Sequence, residues 1–257
     1  MSAIHFQSRL TCALWWLVSV SICLPLTVTA FGGVANKPPI QKQRSVASSV
    51  ASLEALVDDS FDFSSAIGWE QFYKASGVSS QEYSVLEWHS SVPLEVLADF
   101  VPLGGSNCLM VGCGTSDLPS VVHEKRGDTS ITLMDSSQTC IEQLSGRYGD
   151  TMSYVCGDAT RLSSVLPPSK LYNIIIDKGL MDAIFCGEGW NGPIEALVKE
   201  SSKVLSPGGC YLLASYRLPT STKEFLTEVG SEVGLDWEFD CAGSNDRVGL
   251  SIARKKR

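Results

Sequence analysis

The sequence predicts an α/β fold: a doubly wound, mostly parallel sheet with helices on both faces. Short apolar runs alternate with amphipathic segments from residue 107 onward, the pattern of strands joined by crossover helices. The fourth run contains Ile174-Ile175-Ile176, apolar at consecutive positions, which fits a parallel strand covered on both faces. Glycines and aspartates stand at the ends of the runs, where an open α/β sheet holds its ligands.

The elements follow in order. Asn107–Val111 reads as the first strand, followed by Gly112-Cys113-Gly114 and a helix over Asp117–Arg126 that ends near Gly127. Ser130–Met134 is the second strand and stops at Asp135. Ser136 or Ser137 can cap the next helix, whose apolar stripe is Cys140, Ile141 and Leu144. Met152–Cys156 is the third strand, ending at Gly157-Asp158, and Leu171–Ile176 is the fourth, ending at Asp177. A helix with Ile194, Leu197, Val198 and Val204 in its stripe leads through Pro207-Gly208-Gly209 to a fifth strand, Cys210–Ala214. After a helix near Ser221–Val229 come Leu235–Asp240 and Val248–Ala253, joined by the turn-rich Gly243-Ser244-Asn245-Asp246. A loop that short makes the last two strands antiparallel, because a parallel return needs a long crossover. Residues 55–104 read as helical and carry Trp69, Phe72, Tyr73, Trp88 and Phe100, which can cover one side of the cleft.

Composition bounds the function. With 257 residues, 44% apolar and 19% charged, the chain is neither disordered nor fibrous. The net charge of −8 is unevenly placed. Residues 1–53 hold Arg9, Lys37, Lys42 and Arg44 and no acid, and the last four residues are all basic, so residues 54–253 carry −16. That excludes a nucleic-acid partner bound through a general positive field and favours a basic protein partner.

The front of the chain reads as a leader. An apolar run at residues 13–26 follows Arg9, and Val28-Thr29-Ala30 offers small residues for cleavage, the layout of a signal peptide over residues 1–30. A membrane anchor is the alternative, disfavoured by the short run and by Pro25. Residues 31–53 are basic, Ser-rich and free of acids, a transit-like composition. Phe31 directly after Ala30 makes the whole resemble the bipartite plastid leaders of diatoms; an endoplasmic-reticulum or secreted protein is the other reading. The folded domain then spans 54–257, with no stable membrane anchor once the leader is removed. Of nine cysteines, Cys12 and Cys23 would leave with the leader, and the remaining seven contain no Cys-x-x-Cys. Neither a disulfide framework nor a metal site is indicated.

The strand ends describe a ligand. Glycines in Gly112-x-Gly114 let the backbone turn sharply and approach a bound group. Asp135, about 20 residues later, can accept hydrogen bonds from both ribose hydroxyls. A dinucleotide site needs a third glycine where Asp117 stands. A negative charge at that helix start receives a pyrophosphate poorly. A nucleoside without phosphates points to S-adenosylmethionine.

Val111-Gly112-Cys113-Gly114-Thr115-Ser116, Asp135, Gly157-Asp158-Ala159, Asp177 and Pro207-Gly208-Gly209 together resemble the motif series of seven-strand class I methyltransferases. Asp177-Lys178-Gly179-Leu180-Met181-Asp182 resembles the Asp-Lys-Gly-x-x-Asp block of the methyltransferase-like 13 subgroup, which includes lysine methyltransferases of elongation factor 1A and of citrate synthase. Trp69-Glu70-Gln71-Phe72-Tyr73 and Glu87-Trp88 resemble the N-terminal aromatic blocks of that subgroup. The resemblance covers residues 67–254 and implies the strand order 3-2-1-4-5-7-6. There are two departures: Met110 stands where many class I enzymes place an acid, and His89 replaces the usual aromatic after Glu-Trp. By resemblance, Gly112, Cys113, Gly114 and Thr115 pack against the methionine and ribose portions. Asp135 takes the ribose hydroxyls beside Ser136, Asp158 and Ala159 frame the adenine, and Asp177 sits near the sulfonium.

Methyl transfer to a lysine needs a neutral amine, whose free pKa is near 10.4. Asp177 and Asp182 are the candidate catalytic orienters; a helix cap or a salt bridge to Lys178 is the structural alternative. Trp69, Tyr73 and Trp88 can form either an aromatic wall for a cation or ordinary core. His89 and His123 read as packing or surface residues, and Cys113 as a small loop residue rather than a reactive thiol. Three functions remain open: a protein lysine methyltransferase, a small-molecule methyltransferase on the same fold, and a nucleotide-binding or scaffold protein without catalysis.

Overall fold

The strands are β1 (Asn107–Val111), β2 (Ser130–Asp135), β3 (Ser153–Cys156), β4 (Tyr172–Lys178), β5 (Leu205–Tyr216), β6 (Leu235–Glu238) and β7 (Val248–Lys255). In the computed structural model, which describes residues 61–75 and 85–257, they form one sheet of order β3-β2-β1-β4-β5-β7-β6. The pairs among β1 to β5 are parallel, and β7 runs antiparallel to both β5 and β6. The leader (1–30), the transit-like segment (31–53) and the domain start at 54 lie outside the described residues. None of the described helices is long and apolar enough to cross a membrane.

The helices are α1 (Ala66–Ala75), α2 (Leu94–Asp99), α3 (Leu118–Lys125), α4 (Gln138–Tyr148), α5 (Leu162–Val165), α6 (Leu180–Phe185), α7 (Asn191–Val204) and α8 (Thr220–Glu232). Side chains alternate across a strand, and both faces of this sheet are buried. On one face Leu109, Ile175, Tyr211 and Leu213 form a single core with Leu162, Ile194, Leu197 and Leu226 of α5, α7 and α8. The other face buries Met110, Ile174, Ile176 and Leu212, each at most 3% exposed. Each such side chain contributes roughly 1.5–3 kcal/mol by leaving water.

A strand apolar on both faces sets its register weakly by burial alone. Polar ends supply what the isoleucines do not. The Asn107 backbone N–H donates to Asn173 Oδ1 at 2.8 Å, and Asn107 Nδ2 donates to the Leu171 carbonyl at 2.9 Å. This side-chain clamp fixes β1 against β4, so that Val111, the last residue of β1, stands beside Asp177 near the end of β4.

The expected strands are present with small shifts. The largest is β5, which starts at Leu205 rather than Cys210, because Leu205 already pairs with Tyr172 before a register irregularity. Within 55–104 the expected helical cover is, among the described residues, two helices only. The stretch between α1 and α2 includes His89 in the left-handed region (φ 60°), and Pro93 stands at the start of α2.

Candidate functional site

The C-terminal ends of β1, β2, β3 and β4 open into one cavity of about 630 Å³, within the usual range for a small-molecule site. Gly112 (φ 53°) and Gly114 (φ 52°) shape the loop after β1. A Cβ on Gly112 would lie 2.7 Å from Leu180 Cβ, and one on Gly114 would lie 3.0 Å from the Tyr73 hydroxyl. Glycine is needed at both positions for backbone conformation and for close approach. The Cys113 N–H donates to the Met134 carbonyl at 3.1 Å, which ties this loop to the end of β2.

Asp135 ends β2 at the cavity wall. Its Oδ2 accepts from the Gly114 N–H and its Oδ1 from the Ser137 N–H, both at 3.0 Å. Burial pushes its carboxyl above the ordinary range, and those backbone N–H groups oppose the shift. The Ser136 N–H and the Cys140 thiol also bond toward this carboxylate, which lines the cavity. Ser137, rather than Ser136, caps α4 by accepting from the Cys140 N–H at 3.1 Å. Asp158 accepts from Thr160 N and Oγ1 at 2.8 and 2.7 Å and so caps the turn that carries Ala159.

Of the predicted site residues, Gly112, Cys113, Gly114, Asp135, Ser136, Asp158 and Ala159 line this cavity. Thr115, Asp177 and Asp182 do not. Thr115 is buried, and its hydroxyl accepts from the Leu86 N–H at 3.3 Å. Asp177 is fully buried: Oδ1 accepts from the N–H groups of Leu180 and Met181 at 2.9 and 3.3 Å, and Oδ2 from the Tyr211 hydroxyl at 2.6 Å. Burial raises its carboxyl to about 7, and the Asp182 charge adds to this against the Tyr211 bond. Such a value would suit a general base, but the carboxylate faces the core. Gly179 is the N-cap of α6, and Asp177, two residues earlier, receives the first two N–H groups of that helix, so the expectation that it sits at the sulfonium gives way to its structural alternative. Asp182 accepts from His89 Nε2 at 2.7 Å and from the Tyr216 N–H at 3.2 Å. His89 is a buried packing residue with an acidic partner, stacked edge-on against Tyr216 at 4.8 Å. His123 is exposed.

Aromatic rings form the opposite wall. Trp69 packs at 5.9 Å from Phe63 and 6.3 Å from Trp88, edge to face in both cases, and 6.1 Å from Tyr73. All four line the cavity, so these rings are at once local core and site wall. Trp88 lies directly on Gly179 (φ 91°), whose added Cβ would stand 2.7 Å from the indole nitrogen. Lys178 holds this arrangement: its Nζ donates to the Trp88 carbonyl at 2.9 Å and pairs with Glu87 at 3.0 Å.

Sequence reasoning missed Glu70, Glu87 and Lys178. Glu87 accepts from Ser116 Oγ at 2.9 Å and from the Asp117 N–H at 2.5 Å, so a carboxylate of the chain itself occupies the start of α3. A phosphate finds that anion position filled, while the glycine loop, the buried acid and the aromatic wall remain open to a nucleoside sulfonium. The residues present thus fit S-adenosylmethionine. Among the described residues no group of three or more metal-ligating side chains comes together.

No protein-family model matches the chain. It is 27% identical over 203 residues to the eEF1A lysine and N-terminal methyltransferase of Mus musculus, covering 76% of this chain and 28% of that protein. It is 28% identical over 205 residues to methyltransferase srdJ of Neurospora crassa, covering 75% and 74%. It is 23% identical over 192 residues to the mitochondrial citrate synthase-lysine N-methyltransferase CSKMT of Danio rerio, covering 65% and 75%. The chain therefore spans under a third of the mouse relative. Among solved structures, a methyltransferase of Pyrococcus furiosus superposes with a TM-score of 0.51 at 17% identity, covering 67% of this chain and 89% of that one.

Proposed function

We propose that this chain, which groups by fold and by sequence with the class I S-adenosylmethionine-dependent methyltransferases, methylates the amine of a protein lysine. The observation that carries the reading is the single cavity running from Asp135 and the glycine loop to the rings of Trp69 and Trp88. When bound, S-adenosylmethionine supplies a methyl carbon on a sulfonium, already an excellent leaving group. The chain's work is to position and to exclude water. Gly112–Gly114 would hold the methionine and ribose portions, Asp135 the ribose hydroxyls, and Asp158 with Ala159 the adenine. Trp69 and Trp88 would hold the acceptor nitrogen that takes that methyl, the carbon–sulfur electron pair staying with sulfur and the amine proton passing out to bulk solvent.

A lysine must enter this step neutral. Asp177 and Asp182 are turned away from the cavity and bonded within the fold. The neutral amine therefore comes from desolvation against Trp69, Trp88 and Leu180, which lowers the pKa of a buried ammonium. The −16 carried by residues 54–253 suits a basic protein partner and disfavours nucleic acid. The leader composition supports delivery of the mature enzyme to a plastid.

The test is radiolabelled methyl transfer by the full chain into a fractionated plastid extract. Label in a protein band, at lysine by mass spectrometry, is the expected result. Label in small molecules alone would replace the protein substrate with the small-molecule reading, and no label at all would leave a non-catalytic protein. A fluorescent fusion of the first 54 residues should enter plastids; its secretion would end that assignment.

A further inference from the structure

Two carboxylates of the N-terminal cover close on the two loops that hold the candidate cofactor site. Glu70, on α1, accepts from Ser137 Oγ at 2.6 Å and from Thr139 N and Oγ1 at 3.1 and 2.8 Å. These groups open α4, immediately after β2. Glu87, beside Trp88, accepts from Ser116 Oγ and the Asp117 N–H. These open α3, immediately after the glycine loop, and Lys178 ties the same carboxylate to β4. Each acid supplies a charge-assisted cap to a helix that does not carry it in its own sequence neighbourhood.

The two clamps converge. Ser137, whose hydroxyl is held by Glu70, gives its N–H to Asp135 Oδ1. Gly114, two residues before the Ser116 hydroxyl held by Glu87, gives its N–H to Asp135 Oδ2. The carboxylate that faces the ribose position is thus aimed by two backbone donors, one from each clamped loop. The cover also brings the cavity's aromatic wall, since Trp69 adjoins Glu70 and Trp88 adjoins Glu87.

We propose that Glu70 and Glu87 are positioning residues that act on the cofactor through Asp135, so that docking of the aromatic cover and formation of the ribose site are one event. This rests on the methyltransferase reading above. Neither acid touches the cofactor; each fixes the loop whose N–H orients the acid that does.

The test is a double-mutant cycle on the full chain, with S-adenosylhomocysteine as the probe and affinity read by calorimetry. Glu70→Ala and Glu87→Ala should each weaken binding about tenfold in the unaltered chain. In an Asp135→Ala background each should cost less than twofold, because the group they aim is gone. A merely structural role would lower affinity alike in both backgrounds, and that result overturns the proposal, as does unchanged affinity in the first. Glu70→Gln and Glu87→Gln, which keep an acceptor oxygen, should fall between the parent and the alanine variants. They stand in if an alanine variant fails to fold by circular dichroism. If the unaltered chain does not bind the probe, the methyltransferase reading falls; if it binds and the cycle is additive, this assignment alone falls.

Discussion

Asp177 and Tyr211, on neighbouring strands, share a buried hydrogen bond of 2.6 Å from the phenol to the carboxylate. With both backbone bonds to α6 it uses the aspartate fully inside the fold. Asparagine keeps an oxygen that accepts from Leu180 and Met181 and turns an amide N–H toward the Tyr211 oxygen, but it leaves the buried phenol proton without its acceptor. The pH dependence separates the two. The folded carboxyl titrates near 7 against an ordinary 3.8, raised first by burial. The folded chain therefore holds the extra proton between about pH 4 and 7, and stability falls as pH rises through that window, then levels. Over the whole window the loss should be about 4 kcal/mol. In Asp177→Asn this slope should vanish from thermal melts between pH 5 and 8, with S-adenosylhomocysteine affinity within a few-fold of the parent. A collapse of affinity would return Asp177 to the site.

Gly179 lies beneath the Trp88 indole with φ 91°. An alanine there meets both a disfavoured backbone conformation and the ring itself. Gly179→Ala should cost about 2–3 kcal/mol of stability in denaturant melts. It should also shift tryptophan fluorescence, because Trp88 must leave its place while Lys178 still holds its carbonyl. A variant with parental melting and emission would mean that the ring is not seated there.

The strand ends show what a sequence can and cannot say. The strands and the glycine loop were legible because apolar runs, glycines and acids are local signals; the strand order came only from the resemblance of the motif series to a known family. Asp135 and Asp177 look alike in sequence, as an acid at the end of an apolar strand. The parity of β4 tells them apart: Asp177 falls on the same face as Ile175, whose side joins Tyr211 in the core. That reading needs the knowledge of which face carries the core, and a strand apolar on both faces hides it. Glu70 and Glu87 were illegible for another reason. Their partners lie 67 to 69 and 29 to 30 residues away, beyond any helix or strand period, so each reads as a solvated acid beside a tryptophan.

Glu70 makes a prediction in acid. Its carboxyl is held down at about 2, against an ordinary 4.5, chiefly by the Ser137 hydroxyl and with burial opposing. A depressed folded value contributes stability that is complete above pH 4.5 and is lost as pH falls toward 2. The side chain is 24% exposed, so solvent screening limits the contribution to about 1 kcal/mol. Glu70→Gln should flatten the acid limb of the stability curve between pH 4.5 and 2 and leave the limb above pH 5 parallel to the parent. An unchanged acid limb would show that the α1–α4 clamp is not formed in solution.

Asp135 and Asp158 both line the cavity, yet their losses should differ. Asp158 already gives one carboxylate oxygen to the backbone and hydroxyl of Thr160, and its removal mainly loosens a turn. Asp135 accepts from Gly114 and Ser137 through different oxygens, and under the proposed function its cavity side takes the ribose hydroxyls. Asp135→Ala should weaken S-adenosylmethionine binding by about 1–3 kcal/mol, since ribose hydroxyls lose their acceptors and two N–H groups lose their anchor. That is a drop of roughly 5- to 150-fold by calorimetry. Asp158→Ala should fall below the lower end of that range. Equal affinities for the parent and Asp135→Ala would take Asp135 out of the site. A larger loss for Asp158→Ala would move the principal nucleoside contact from the end of β2 to the end of β3.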